Sequence, residues 1–150
     1  MHKLLLSLIS ILFFSSLAMA GNGLIRIKSV HNVKVTADRL EKSLKMKGMT
    51  VFIRINHSEG AQKVGKKLRP TELIIFGNAK VGTPLMQCGH SIAIDLPQKT
   101  LIREDETGQV WLSYNDPKYL AKRHGIMGCS EVIKKIGNVL SMFAKKATMQ

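Results

Sequence analysis

The sequence predicts an α+β domain in which helices cover one face of a largely antiparallel sheet, in the order β-α-β(4)-α with short helical insertions. Three observations predict it. Short runs that alternate apolar and polar residues, or that are apolar throughout, recur between turn residues. Two longer stretches, one early and one last, repeat apolar residues at helical spacing. Hydrophobic residues make up 45% and charged residues 22%, a globular balance that disfavours disorder, collagen and coiled coil.

The elements follow in chain order. Leu24 to Val30 partly alternates and reads as a strand. Asn32 is a helix N-cap, and Val33, Ala37, Leu40 and Leu44 then share one helical face. Gly48 ends that helix, with Lys45 and Lys47 at its negative end. Met49 to Ile55 is a second strand, with Val51, Ile53 and Ile55 on one face. His57 to Val64 forms a short helical turn. Glu72 to Phe76 is an apolar strand between Pro70 and Gly77-Asn78. Thr83-Pro84 reads as N-cap and first residue of a short helix. Thr100 to Arg103 and Gln109 to Tyr114 are strands joined by the turn Glu104 to Gly108. Asp116-Pro117 opens another short helix that stops at Gly125. The last helix runs from Ser130 to Lys146, with Val132, Ile133, Ile136, Leu140 and Phe143 inward.

Residues 1–20 have the three-part layout of a secretory signal: a basic start at Lys3, an apolar run from Leu4 to Phe14, and the small-residue site Ala18-Met19-Ala20. The apolar run is shorter than the ~20 residues of a spanning helix, so we expect cleavage after Ala20 and no transmembrane anchor. Residue 21 is Gly, which excludes a lipoprotein-type site. Residues 21–150 are then a single domain, periplasmic or secreted. At that length it can bury roughly two thirds of its surface.

The net charge is +13, and its excess is uneven. Residues 26–80 carry 13 basic and 4 acidic side chains, whereas residues 81–116 carry 2 and 5. Such basicity suits an anionic surface, and export argues against nucleic acid as the partner. We favour the plainer account, a solvated surface with no partner.

Three segments carry a family signature. They are Arg69 to Lys80 continued by Gly82 to Gln87, then Asp95-Leu96-Pro97, then Tyr114 to Gly125. In content and order they are similar to domain-of-unknown-function family 302, over roughly Val30 to Phe143. The resemblance implies a fold like the TATA-box-binding-protein class and a homodimer. It implies no reaction. Many members have a small apolar residue where this chain has Cys88, and lack Cys129, so the cysteine pair marks an exported subgroup.

The two cysteines lie 41 positions apart. An oxidising compartment favours a Cys88–Cys129 disulfide, which would stabilise the fold by ~4 kcal/mol in the chain-entropy model. A second reading is a copper site built from Met86, Cys88, His90, His124, Met127 and Cys129, because thioether, thiolate and imidazole suit that metal. A third is a redox-active pair, with the thiol of Cys129 activated at a helix N-terminus. Without a C-x-x-C motif, the third has the least support.

The signature also holds a polar set: Arg69, Glu72, Asn78, Lys80, Thr83, Gln87, Asp95, Tyr114, Asn115, Asp116 and His124. Together they are a candidate ligand pocket, where Arg69 or Lys80 holds an anion and His124 is an acid or base. We favour the structural reading of this set, since each residue has a local role. Thr83 and Asp116 suit caps, Asn78 suits a turn with positive φ, Arg69 suits pairing with Glu72, and Gln87 suits loop backbone. No catalytic spacing such as G-x-S-x-G or H-E-x-x-H is present. The sequence therefore favours a non-catalytic accessory module that binds a small ligand or a protein, needs no cofactor, and is held by a disulfide. The alternative is a copper-binding or thiol-redox protein. A hydrolase centred on His124 has the least sequence support.

Overall fold

The computed structural model describes residues 22–150; the expected signal and its cleavage site lie outside them. Five strands form one antiparallel sheet: β1 (Leu24–Ser29), β2 (Thr50–Asn56), β3 (Thr71–Gly77), β4 (Gln98–Glu104) and β5 (Val110–Asn115). Their order across the sheet is β1-β5-β4-β3-β2. The sequence expectation of an α+β fold holds.

Helices α1 (Val33–Met46) and α5 (Ser130–Thr148) pack against each other over the sheet, and three short helices fill the connections. These are α2 (His57–Lys63), α3 (Ala79–Cys88) and α4 (Pro117–Arg123). A 3-10 helix, His90–Asp95, follows α3. The core joins Val33, Ala37, Leu40 and Leu44 of α1 to Ile74, Phe76, Ile102 and Leu112 of the sheet and to Ile136, Leu140 and Phe143 of α5. Both long-helix faces expected from the spacing are thus buried, except that Val132 and Ile133 are only partly covered. No helix among the described residues is long and apolar enough to cross a membrane.

Local chemistry explains the boundaries. The Asn32 side chain accepts the Val35 amide at 2.9 Å, and the Asp116 side chain accepts that of Lys118 at 2.9 Å ahead of Pro117. In the β4–β5 turn, one Asp105 oxygen accepts the Thr107 hydroxyl and the amides of Thr107 and Gln109, while the other accepts Trp111 Nε1 at 2.7 Å. Those donors, the Thr107 hydroxyl foremost, hold the Asp105 carboxyl down at about 2.

Two expectations are corrected. Helix α3 begins at Ala79, with Asn78 and not Thr83 as its N-cap, so Pro84 lies inside it. Asn78 has φ −149°, an extended value and not a positive one. Its side chain accepts the Lys80 amide at 2.9 Å and donates to the Gly48 carbonyl at 2.9 Å, a cap that starts the helix early. In β2 the register shifts between Val51 and Ile53. Val51 sits opposite buried Phe76, but Ile53 sits opposite Ile75 and is 50% exposed. One extra residue reverses the alternation, so Val51 and Ile53 do not share a face.

Arg54 is the centre of an ion network. It bonds through Nε to Glu72, through one terminal nitrogen to Asp38 at 2.6 Å, and more distantly to Glu41 at 3.4 Å. Glu72 is buried on the core side of β3, beside Ile74. Its hydrogen bond to Arg54 is the main reason the guanidinium holds its proton more tightly than usual. Hydrogen bonds from Lys34 and then Arg54 lower the Asp38 carboxyl, and one from Lys45 chiefly lowers that of Glu41. Such groups bind protons more weakly folded than unfolded. Their contribution is complete above the ordinary carboxylate pKa of about 4 and is lost as pH falls through the lower, folded values. We expect Arg54→Met to cost about 3 kcal/mol, because it strands buried Glu72. Urea unfolding at pH 7 and pH 3 checks both points: the penalty should be large at pH 7 and shrink at pH 3.

Candidate functional site

The apolar elements at one end of the sheet enclose a cavity of about 340 Å³. Phe76 and Gly77 of β3 form its floor, Val81, Leu85 and Met86 of α3 one wall, and Ile136, Val139, Leu140 and Phe143 of α5 another. Ala93, Leu96 and Pro97 close a third side. Lys135 is the one charged residue of the lining and is solvent-exposed. The bulge in β2 places Phe52, 59% exposed, on the lining as well. A Cβ on Gly77 would come within 3.3 Å of the Phe52 ring, so the glycine leaves that ring its space.

The two helical walls are joined. Cys88 ends α3 and Cys129 is the N-cap residue of α5, and the pair lies at disulfide distance with Cα atoms 6.2 Å apart. Beside it, the backbone of Gly89 lies against Ile126, where a Cβ would approach Ile126 Cγ1 to 2.7 Å. Glycine is what allows that close packing.

The eleven polar signature residues are spread over the fold. Glu72 pairs with Arg54 and not with Arg69, because Arg54 enters from the neighbouring strand while Arg69 lies exposed in the loop before β3. Asn78 and Asp116 are caps, whereas Thr83 lies inside α3 and caps nothing. Lys80, Thr83 and Gln87 are exposed on α3. Tyr114 is buried on β5, where burial, and next the Asp116 charge, push its phenol up. Asn115 faces Leu24 across the sheet edge.

Only Asp95 and His124 of that set meet through their side chains. His124 Nε2 lies 2.6 Å from Asp95 Oδ2, and its other nitrogen, Nδ1, lies 3.0 Å from Ser91 Oγ. Arg123 reaches the second Asp95 oxygen at 3.3 Å.

The six copper candidates do not converge. Cys88 and Cys129 are placed on each other, and both His124 nitrogens are engaged. Met86 is packed on the core, while Met127 is 87% exposed and His90 is exposed in the 3-10 helix. Among the described residues, no three His, Cys, Asp or Glu side chains gather into a metal-holding group.

A family model described as "Domain of unknown function DUF302" matches residues 25–143. The chain belongs to the DUF302 family. Its fold is similar to the crystal structure of an uncharacterized conserved DUF302 protein from Bacillus stearothermophilus, with a TM-score of 0.76 at 18% identity. That match covers 85% of this chain and 99% of the other. Curated relatives include a Brucella suis protein named fluoride-specific ion channel FluC 1 and its Brucella abortus namesake, each 46% identical over 118 residues. The match takes in 79% of this chain but only 46% and 44% of those proteins, so the DUF302 chain spans less than half their length.

Within this DUF302 domain, the cavity and Ser91 escape sequence reasoning. The cavity residues come from four separated segments and look like ordinary core positions. Ser91 is one unremarkable serine, and its proximity to His124 across 33 positions is a tertiary fact. The signal at hand was Asp95, only four residues away.

Cross-linking should matter for the walls. We expect the Cys88→Ser, Cys129→Ser double variant to lose about 4 kcal/mol against the oxidised protein, from the loop of 41 residues it reopens. Equilibrium unfolding in urea with intact-mass control of the oxidised form measures it.

Proposed function

We propose that this DUF302 chain is an exported accessory module that binds a small apolar or amphipathic molecule in the cavity between α3 and α5. The observation that carries this reading is the lining: side chains of Phe76, Leu85, Ile136, Leu140 and Phe143 around about 340 Å³, with one lysine at hand. That volume lies at the small end of ligand sites, which run from roughly 300 to 1,000 Å³. Water gains little in such a space, whereas an alkyl chain gains ~0.8 kcal/mol per buried methylene. Lys135 suits an anionic head group on the same molecule. A disulfide between the walls would keep them from separating in the unliganded protein, so less ordering accompanies binding.

Isothermal titration with dodecanoate tests the reading. We expect saturable binding at one site, abolished by Val139→Trp, which fills the cavity. Lys135→Glu should weaken it about tenfold, equivalent to about 1.4 kcal/mol. Absence of saturable binding to the folded protein would refute the proposal.

The Brucella relatives favour a second reading, in which the module serves a membrane channel. In those proteins the matching segment is joined to a longer remainder. Here that segment forms an open five-stranded sheet, without a helix suited to crossing a bilayer among the described residues. The remainder of the relatives would carry their pore, and this chain would act on such a pore from outside. Adding the purified chain to liposomes containing a fluoride channel should change the rate of fluoride efflux. An unchanged rate at saturating protein would reject the partnership.

A further inference from the structure

Ser91, His124 and Asp95 have the order of contacts that activates a serine: nucleophile to base, base to carboxylate. Two elements supply them. Ser91 and Asp95 stand on the 3-10 helix, and His124 caps the C-terminus of α4. The direction of the proton follows from the partners. An ionised carboxylate only accepts hydrogen bonds, so His124 carries its proton on Nε2, toward Asp95 Oδ2 at 2.6 Å. Nδ1 then presents a lone pair, and the Ser91 hydroxyl, 3.0 Å away, donates to it. The imidazole is only 8% exposed, whereas Ser91 faces solvent. The base is therefore shielded and fixed while the nucleophile is open to a substrate.

We propose that this cluster is an acyl-transfer site that hydrolyses small carboxylic esters with a short apolar acyl group. This goes beyond the binding reading and stands without it. Side chains three residues apart eclipse in a 3-10 helix, which puts Ile94, 76% exposed, beside Ser91 as the surface for that acyl group. In the first step, Ser91 Oγ bonds to the ester carbonyl carbon as its proton passes to His124 Nδ1. The carbonyl electron pair returns from oxygen as the bond to the alkoxide breaks, and the alkoxide takes the proton from His124. Water then adds to the acyl carbon and gives a proton to Nδ1. The Ser91–acyl bond breaks, Ser91 regains a proton, and the acid leaves. Ser91 and His124 are the catalytic residues, and Asp95 is a positioning residue.

The experiment uses 4-nitrophenyl butyrate with the oxidised chain. Peptide mapping after acid quench should show a butyryl group on Ser91, and 4-nitrophenol release should exceed that of Ser91→Ala at least a hundredfold. Ser91 is exposed, so that variant should keep the wild-type thermal midpoint. Ser130→Ala, at another exposed serine, should leave the rate unchanged. Asp95→Asn should lower the rate and alter its pH profile, which a purely structural Asp95 would not do at intact fold. Butyryl absent from Ser91, or equal rates in wild type and Ser91→Ala, would overturn the proposal and leave the cluster a clamp between two helices.

Discussion

Burial of the apolar stripe of α5 is the constraint on which the rest of the structure depends. Ile136, Leu140, Phe143, Ala144 and Ala147 are all nearly inaccessible, pressed against α1 and the sheet. Removing that stripe would expose one face of α1, the core side of the sheet and a wall of the cavity. Both ends of the helix are tied. Cys129 fastens its start to α3, and Arg39 of α1 donates to the carbonyls of Lys146 and Met149 at its end. A cation at a helix C-terminus satisfies free carbonyls and the negative end of the dipole together. The C-terminus also accepts a bond from β1's side of the sheet, where the Val30 amide meets the Thr148 carbonyl at 3.0 Å.

With α5 fixed, the connections supply both a cavity wall and the Ser91–His124–Asp95 cluster. The segment from α3 through the 3-10 helix supplies one wall of the cavity and also Ser91 and Asp95. The turn after α4 supplies His124 and, five residues later, Cys129. Two stretches of chain thus meet twice, once covalently and once through a buried imidazole. Rigidity at this meeting point would keep the cavity walls together and the His124 imidazole in place. The Arg54 network plays the corresponding part under α1, where it lets Glu72 occupy a core position with its charge paired.

Much of the fold was legible because its signals are local. Asn32, Asp116 and Pro117 announce helix starts by chemistry confined to one turn, and the α1 spacing of Val33, Ala37, Leu40 and Leu44 has one helical solution. The failures share one cause. Thr83-Pro84 resembles a helix start, but Asn78 also bonds to Gly48, thirty residues away, and that contact moves the start. The alternation of Val51, Ile53 and Ile55 is sound locally, yet the pairing with β3 inserts a bulge. Glu72 had a plausible partner nearby in Arg69 and took Arg54 instead, since antiparallel pairing brings β2 beside it.

The sequence by itself determined the α+β class, the main helix faces, most element boundaries and the family, since each rests on residue type and short spacing. Tertiary structure decided which polar residues meet. It left Arg69, Lys80 and Gln87 in solvent, gave Glu72 to Arg54, and set Ser91 and Asp95 on either nitrogen of His124. It also made a cavity from residues that individually look like core. The physical reason is range: caps and periodicity act within a few residues, whereas a site requires segments far apart in the chain to be brought within about 3 Å, the reach of a hydrogen bond.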